Sequence, residues 1–350
     1  MGKAYVYVGT NSIRGSQGIY TLSLDTGSGK MDVLSTTEAQ DSAYLCVSRD
    51  GSRLYAVMES LEYEGKKGGG AASYAIEDGR LKQTGKCYAG GGWPCHISLD
   101  PNEKEVYVSV FRNGSWLIFQ TDGDGRLAEA KESFSYQDPN GRPSHIHAVV
   151  SDPAGKYLAV ADCGLDAVYL YNAVSHEQVW KEGFPEDTGP RQLSFSEDGK
   201  YLYLVTETSC ELYVMRYTPE EKEKLHVLQT ISTQRRDGYE GKNYAGGLHF
   251  HPSGKYLLAT NRGHNSFAVF GVDKESGMVK LLGHKMLAGD HCREFSFTLD
   301  GKILVAGLQH TDIVQSFFFD EETGKITDTG YQLNIPSPSA VVVFEKKTEE

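Results

Sequence analysis

The chain has no run of about 20 apolar residues, so nothing in it reads as a membrane-spanning helix. Lys and Arg are in deficit, 35 against 47 Asp and Glu, a formal charge of −12. A nucleic-acid partner, whose phosphates are neutralised by Lys and Arg, is therefore not expected. An acidic average still permits a basic pocket for a small anion. No basic-then-apolar leader precedes Tyr5-Val-Tyr-Val8, and a cytoplasmic protein is expected. Six cysteines (Cys46, Cys87, Cys95, Cys163, Cys210, Cys292) contain no CxxC pair and read as free thiols. GxSxG, HExxH and a Walker-type Lys-Ser/Thr are all missing, which removes the serine-elbow hydrolases, zincins and P-loop enzymes. Asp122-Gly-Asp-Gly125 opens like a calcium loop, but its twelfth position is Ser133 rather than Glu, so it reads as a hairpin turn. Gly65-Lys-Lys-Gly-Gly-Gly70 reads as a flexible loop and Lys346–Glu350 as a frayed tail. Helical periodicity is absent throughout, which excludes a doubly wound α/β fold.

What the sequence does hold is a repeat. An apolar strand, a turn of the Asp/Pro-x-Gly kind and a second apolar strand recur six times. Examples are His147-Ala-Val-Val-Ser-Asp-Pro-Ala-Gly155-Lys-Tyr-Leu-Ala-Val160 and Gln192-Leu-Ser-Phe-Ser-Glu-Asp-Gly199-Lys-Tyr-Leu-Tyr-Leu-Val205. The turn positions 51, 103, 155, 199, 254 and 301 are spaced 52, 52, 44, 55 and 47 residues apart. Each interval also holds a second hairpin, giving four strands per repeat, the content of a propeller blade. Ala340-Val-Val-Val-Phe344 looks like a first strand that stops, and Tyr5-Val-Tyr-Val8 like a second strand with no first. Joined, they complete a seventh blade and abolish the open sheet edge. The predicted fold is all-β: one seven-bladed propeller domain over residues 1–350, closed by both chain ends.

In such a blade the first strand runs nearest the central channel and the second returns antiparallel. The residue leading strand one and the residue leaving strand two then share one mouth. The leading positions hold His96, His147, Arg191, Gly247 and Glu294 beside Arg293; the leaving positions hold Glu59, Asp162, Glu207, Arg262 and Gln309. Charged and imidazole groups converge there beyond what packing requires, and the site is expected at that mouth. Guanidinium groups cannot act as bases but suit anion anchoring and oxyanion stabilisation; His147 or Glu207 can accept a proton. Arg142, Arg235, Arg236, Lys242 and Arg293 are spare cations for a phosphate, with 232–246 a long loop near the mouth. His145-Ile-His147 and His249-Phe-His251 also admit a metal clip across two blades. With no third ligand evident, neither metal nor other cofactor is expected.

The chain resembles the seven-bladed propeller lactonases, which include the propeller-type 6-phosphogluconolactonase and the carboxy-muconate lactonising enzyme. The resemblance rests on Tyr5-Val-Tyr-Val-Gly-Thr10, Gly91-Gly-Trp-Pro-Cys-His96-Ile, His145-Ile-His147, Gly189-Pro-Arg191, Glu207 and Asn261-Arg262-Gly-His264, spread over essentially the whole chain. It implies a catalytic set of His147, Arg191, Glu207 and Arg262; beside these, His96, Arg142, His145 and Arg293 are read as binding substrate. It also implies hydrolysis of an anionic sugar lactone, most simply 6-phosphogluconolactone of the oxidative pentose phosphate pathway, by a monomer or weak homo-oligomer. A lactonising cycloisomerase and a non-catalytic protein-binding propeller are the alternatives. Gly247, Glu294 and Val110 depart from that pattern, where a carboxylate and two Asn residues are usual.

Overall fold

In the computed structural model, described over residues 3–234 and 238–345, seven four-stranded antiparallel sheets make up nearly all of the chain. The innermost strands are Ser42–Val47, Pro94–Leu99, Ile146–Ser151, Pro190–Phe195, Tyr244–Phe250, Cys292–Phe297 and Pro338–Glu345. Each packs against the next, and the last against the first, so the blades close into a ring about one channel. The closing blade is built as expected: Pro338–Glu345 pairs with Lys3–Thr10, followed outward by Gly18–Asp25 and Met31–Glu38. No helix is long and apolar enough to cross a membrane among the described residues.

The burial pattern follows from this stacking. Second strands are covered on both faces by neighbouring blades, and Leu54-Tyr-Ala-Val-Met58 is buried without interruption. Outer strands alternate towards solvent, as in Met31–Glu38. Inner strands send one set of side chains (Leu45, Ile97, Val149, Leu193, Leu248, Phe295, Val341) between blades and the alternate set into the channel. The closing blade shares one core with the preceding blade through Val6, Val8 and Val305, and another with the following blade through Tyr7, Leu54 and Ala340.

The recurrent turn has a backbone reason for its glycine. Gly51, Gly155, Gly199, Gly254 and Gly301 all lie at φ of +67° to +72°, with Glu103 at +58° in the remaining copy. The Asp122–Gly125 turn joins strands Ser115–Thr121 and Leu127–Ser135, as read from sequence. Residues 62–67 differ from expectation. They fold as a small hairpin, Glu62–Tyr63 against Lys66–Lys67, braced by a Glu64–Lys86 ion pair. The expected tail, 346–350, lies outside the described residues.

At Gly51 a Cβ would stand 1.7 Å from Cζ of Phe344 on the closing strand, whereas at Gly141, also at positive φ, nothing lies within 4 Å. Gly141→Ala is expected to cost about 1 kcal/mol, the left-handed backbone alone. Gly51→Ala is expected to cost about 3 kcal/mol, because the ring that clamps the closing strand must also move. Urea unfolding of the two variants checks this; equal losses would show that Phe344 gives way freely.

Candidate active site

One irregularity repeats in every blade. The pairing of inner with second strand slips just after the inner strand starts, between Ser42 and Tyr44, Pro94 and His96, Ile146 and Ala148, and Pro190 and Gln192. It slips again between Ala245 and Leu248, Cys292 and Phe295, and at Pro338–Ala340. A bulge leaves one residue without a cross-strand partner and re-aims its side chain. The bulged residues include His147, Arg191 and Arg293. Glu59, Phe111 and Glu207 lie just past the paired end of their second strands, and Arg262, the last residue of its strand and paired with Tyr244, occupies the matching step. These two rings form the mouth.

Glu207 sits at its centre. Its Oε2 accepts from Arg191 Nε at 3.1 Å and lies 3.2 Å from Arg262 Nη2 and 3.9 Å from His147 Nε2. Arg191, 1% exposed, also donates from Nη1 to the Gly246 carbonyl at 2.7 Å, and Arg262 Nη2 donates to the Ala245 carbonyl at 2.7 Å. Asn261 fixes the strand before Arg262 through Thr233 and Asn243. Arg293 holds Glu59 by a two-pronged pair at 2.8 and 3.1 Å. Phe111 sets its ring edge-on to His147, centroids 6.0 Å apart. Three guanidiniums thus face two carboxylates, an excess of one positive charge. Nε of Arg262, Nε of Arg293 and Nδ1 of His147 are buried with no partner in the protein. Such buried polar atoms normally meet a ligand or water.

The electrostatics follow from this crowding. Burial, reinforced by Arg191 and Arg293, holds His147 well below its ordinary pKa, so it is neutral at pH 7. Burial works against the Glu207 charge, yet Arg262, Arg191 and Arg293 outweigh it and hold the carboxyl below its usual range. Arg262 is pulled down to about 10 by burial and by Arg191, and remains charged at neutral pH.

A second layer lies one step deeper. Gln192 Nε2 donates to Tyr44 Oη at 2.9 Å and to Glu294 Oε1 at 2.7 Å, while its Oε1 accepts from Leu248 N at 2.6 Å. Glu294 also meets His249 Nε2 at 2.6 Å. His96 packs on Tyr44, centroids 4.6 Å apart, and Tyr44, His96, His249 and Glu294 line a cavity of about 770 Å³ that opens towards the turn end of the inner strands. The leading residues therefore belong to two layers, not one: the bulge turns His147, Arg191 and Arg293 to the mouth and leaves His96, Gly247 and Glu294 below. Gly247 has its counterpart here, since a Cβ at 247 would lie 3.1 Å from Glu294 Oε2. The carboxylate that resemblance leads one to expect at 247 is supplied from the adjacent blade by Glu294.

The other expected residues go elsewhere. Asp162 faces inward to cap a turn, accepting from Ser144 Oγ at 2.6 Å and from three backbone amides; Cys163 takes the mouth step of that blade. Arg142 pairs with Asp166 at 2.5 Å and with the Gly164 carbonyl, holding a blade loop. His145 Nδ1 donates to the Phe111 carbonyl at 3.0 Å, and its ring stacks on that of Phe111. Arg235 and Arg236 lie outside the described residues.

A family profile described as Lactonase, 7-bladed beta-propeller matches residues 5–343. The chain belongs to this lactonase family. A 6-phosphogluconolactonase of Bacillus subtilis is 28% identical over 97% of this chain and 98% of its own length. The structure superposes on a periplasmic gluconolactonase of Pseudomonas aeruginosa with TM-score 0.90 at 28% identity, covering 97% and 99% of the two chains. A putative 6-phosphogluconolactonase of Bacteroides fragilis gives 0.87 at 27%, with 98% of each covered.

In this lactonase chain the paired histidines diverge: His249 meets Glu294, and His251 meets Ser253 and the Gly301 carbonyl. Among the described residues no three His, Cys, Asp or Glu side chains are grouped to hold a metal. The six thiols are free, and burial pushes up Cys95, to about 12, and Cys163 as well, which leaves both unreactive. Sequence reasoning missed Gln192, Tyr44 and Phe111. Its available signal was the proline opening three inner strands, Pro94, Pro190 and Pro338, immediately before the bulged residue.

His96 and His147 are buried, and burial lowers both, His96 to about 4. The unfolded chain therefore takes up these protons first as pH falls below 6.5, so their stabilising effect is complete above 6.5 and declines below it. By pH 5 the loss is expected to be about 2 kcal/mol for each imidazole. Glu207, with its depressed pKa, adds a further loss only below about pH 4.5. Chemical unfolding at pH 7.5, 6 and 5 checks this, and His96→Gln should flatten the dependence.

Proposed function

We propose that the chain hydrolyses a sugar-derived lactone, with 6-phosphogluconolactone in the oxidative pentose phosphate pathway as the first substrate to test. The observation that carries this reading is the pairing of a neutral, buried imidazole with an ionised carboxylate clamped by two guanidiniums, next to unpartnered Nε–H donors.

His147 is assigned as the base. A water held between His147 and Glu207 gives its proton to the imidazole as its oxygen bonds to the lactone carbonyl carbon. The carbonyl oxygen becomes an oxyanion, and the Nε–H groups of Arg262 and Arg293 are the donors available to it. The tetrahedral centre then reforms the carbonyl as the ring C–O bond breaks, and the imidazolium returns its proton to the departing hydroxyl. The product is the open hydroxy acid. Glu207 is a poor base because three guanidiniums stabilise its charge. Its part is to hold Arg191 and Arg262 in place and to favour the transient imidazolium 3.9 Å away.

A second reading keeps the reaction and drops the phosphate. The mouth carries one excess positive charge, Arg142 is committed to Asp166 and Arg293 to Glu59. That supply suits a neutral gluconolactone better than a phosphorylated one, and the Pseudomonas aeruginosa protein of closely similar structure bears that name.

Hydrolysis of fresh 6-phosphogluconolactone and of glucono-δ-lactone, each against its spontaneous rate, separates the two readings. Acceleration of neither would overturn both. His147→Gln is expected to lower kcat by about 10²- to 10⁴-fold. Turnover with EDTA should equal turnover without it. The acid limb of kcat/KM should fall below pH 6.5, because His147 stays neutral to lower pH. Glu207→Gln should reduce both activity and stability, the latter by about 3 kcal/mol, since it strands two buried guanidiniums. Full activity in His147→Gln with none in Glu207→Gln would reverse the assignment of the base.

A further inference from the structure

A rim above the mouth is formed by Asp41, Trp93, His145, Gly189, His291 and Ser337, each just before its inner strand, and by Tyr244, the first residue of Tyr244–Phe250, which holds the same place relative to the bulge. Left-handed backbone recurs at five of these seven, with φ of 45° at Asp41, 59° at Trp93, 69° at Gly189, 64° at His291 and 47° at Ser337. Asp, Ser and Gly are at home in such a position, whereas a bulky residue there is an outlier. Trp93 is the extreme case. Its packing does not account for it: the indole is 40% exposed, joins none of the interblade cores, and has the Arg112 guanidinium 5.3 Å from its ring. Held backbone strain at a cleft is a pointer to function.

Two further facts place this indole. The Trp93 carbonyl accepts from Phe111 N at 3.0 Å, and Phe111 is the residue whose ring edges His147. The same rim position three blades on, nearly opposite in a ring of seven, is Tyr244, which is also 40% exposed and whose cross-strand partner is Arg262. Two large exposed rings thus stand on opposite sides of the mouth, one next to the imidazole and one next to the guanidinium of the site. A hydroxylated sugar ring has an apolar C–H face that lies on aromatic rings and an edge of hydroxyls for polar partners. The negative face of an indole or phenol attracts those polarised C–H groups.

We propose that Trp93 and Tyr244 form a rim subsite that holds the ring of a sugar lactone over the mouth, making them specificity-determining residues. This deepens the hydrolase reading and rests on it for the identity of the reacting group, but the subsite itself predicts sugar binding whether or not turnover follows.

The test uses the full chain, D-gluconate as probe and glucono-δ-lactone as substrate. Trp116 is fully buried and Trp180 partly so, which makes Trp93 the most exposed indole. Gluconate should shift the indole emission of the wild type, and Trp93→Phe should keep calorimetric binding while losing the shift. Trp93→Asn, which suits the left-handed backbone, should raise KM about three- to tenfold with kcat largely kept and no loss of thermal stability. Tyr244→Ala should raise KM in the same way. A Trp93→Asn enzyme with unchanged KM, or one that merely melts earlier, would overturn the subsite and leave the hydrolase reading standing. A wild type that binds gluconate through Trp93 yet accelerates no sugar lactone would do the reverse, and absence of gluconate binding would overturn the subsite.

Discussion

The arrangement at the mouth depends on one carboxylate oxygen. Oε2 of Glu207 meets two guanidiniums and faces an imidazole, and those three groups come from three different blades. Burying Arg191 almost completely is tolerable only because Glu207 and the Gly246 carbonyl take up its donors. The same positive field that keeps Glu207 ionised keeps His147 neutral. A single electrostatic balance therefore sets the charge of the anchor and the protonation of the imidazole together, and neither can be altered alone.

Beneath that layer the Tyr44–Gln192–Glu294 network ties the inner strands of separate blades across the channel. Each member lies near a mouth residue in sequence or space: Gln192 follows Arg191, Glu294 follows Arg293, and Leu248, which donates to Gln192, is two residues from Gly246. The floor and the mouth are thus consecutive residues of the same strands. A propeller channel can be polar in this way because the hydrophobic contacts that hold the ring lie between blades, on the other face of each inner strand.

The carboxylate of that floor shows how a ring tolerates relocation. Glycine at 247 leaves a space, and Glu294 from the adjacent blade fills it and finds His249 and Gln192 as partners. Compared position by position, the two departures look like losses. In three dimensions they are one exchange, because channel positions of neighbouring blades share the same volume.

The sequence by itself determined the blade count, the turns and the closure by both chain ends, since period-2 alternation recurs in every copy and a glycine at positive φ in five of the six turns. It also named His147, Arg191, Glu207 and Arg262, and the fold brings the other three within 3.9 Å of Glu207 Oε2. Only the tertiary structure decided which neighbour of each pair faces the mouth. A one-residue bulge exchanges the two faces of a strand, and it separated Arg191 from Gln192, Arg293 from Glu294 and His147 from Ala148. Asp162 was misplaced by the same single step. The partners of Arg142 and Arg293, Asp166 and Glu59, were equally out of reach of a linear reading, because an ion pair between distant segments leaves no spacing signature in the chain.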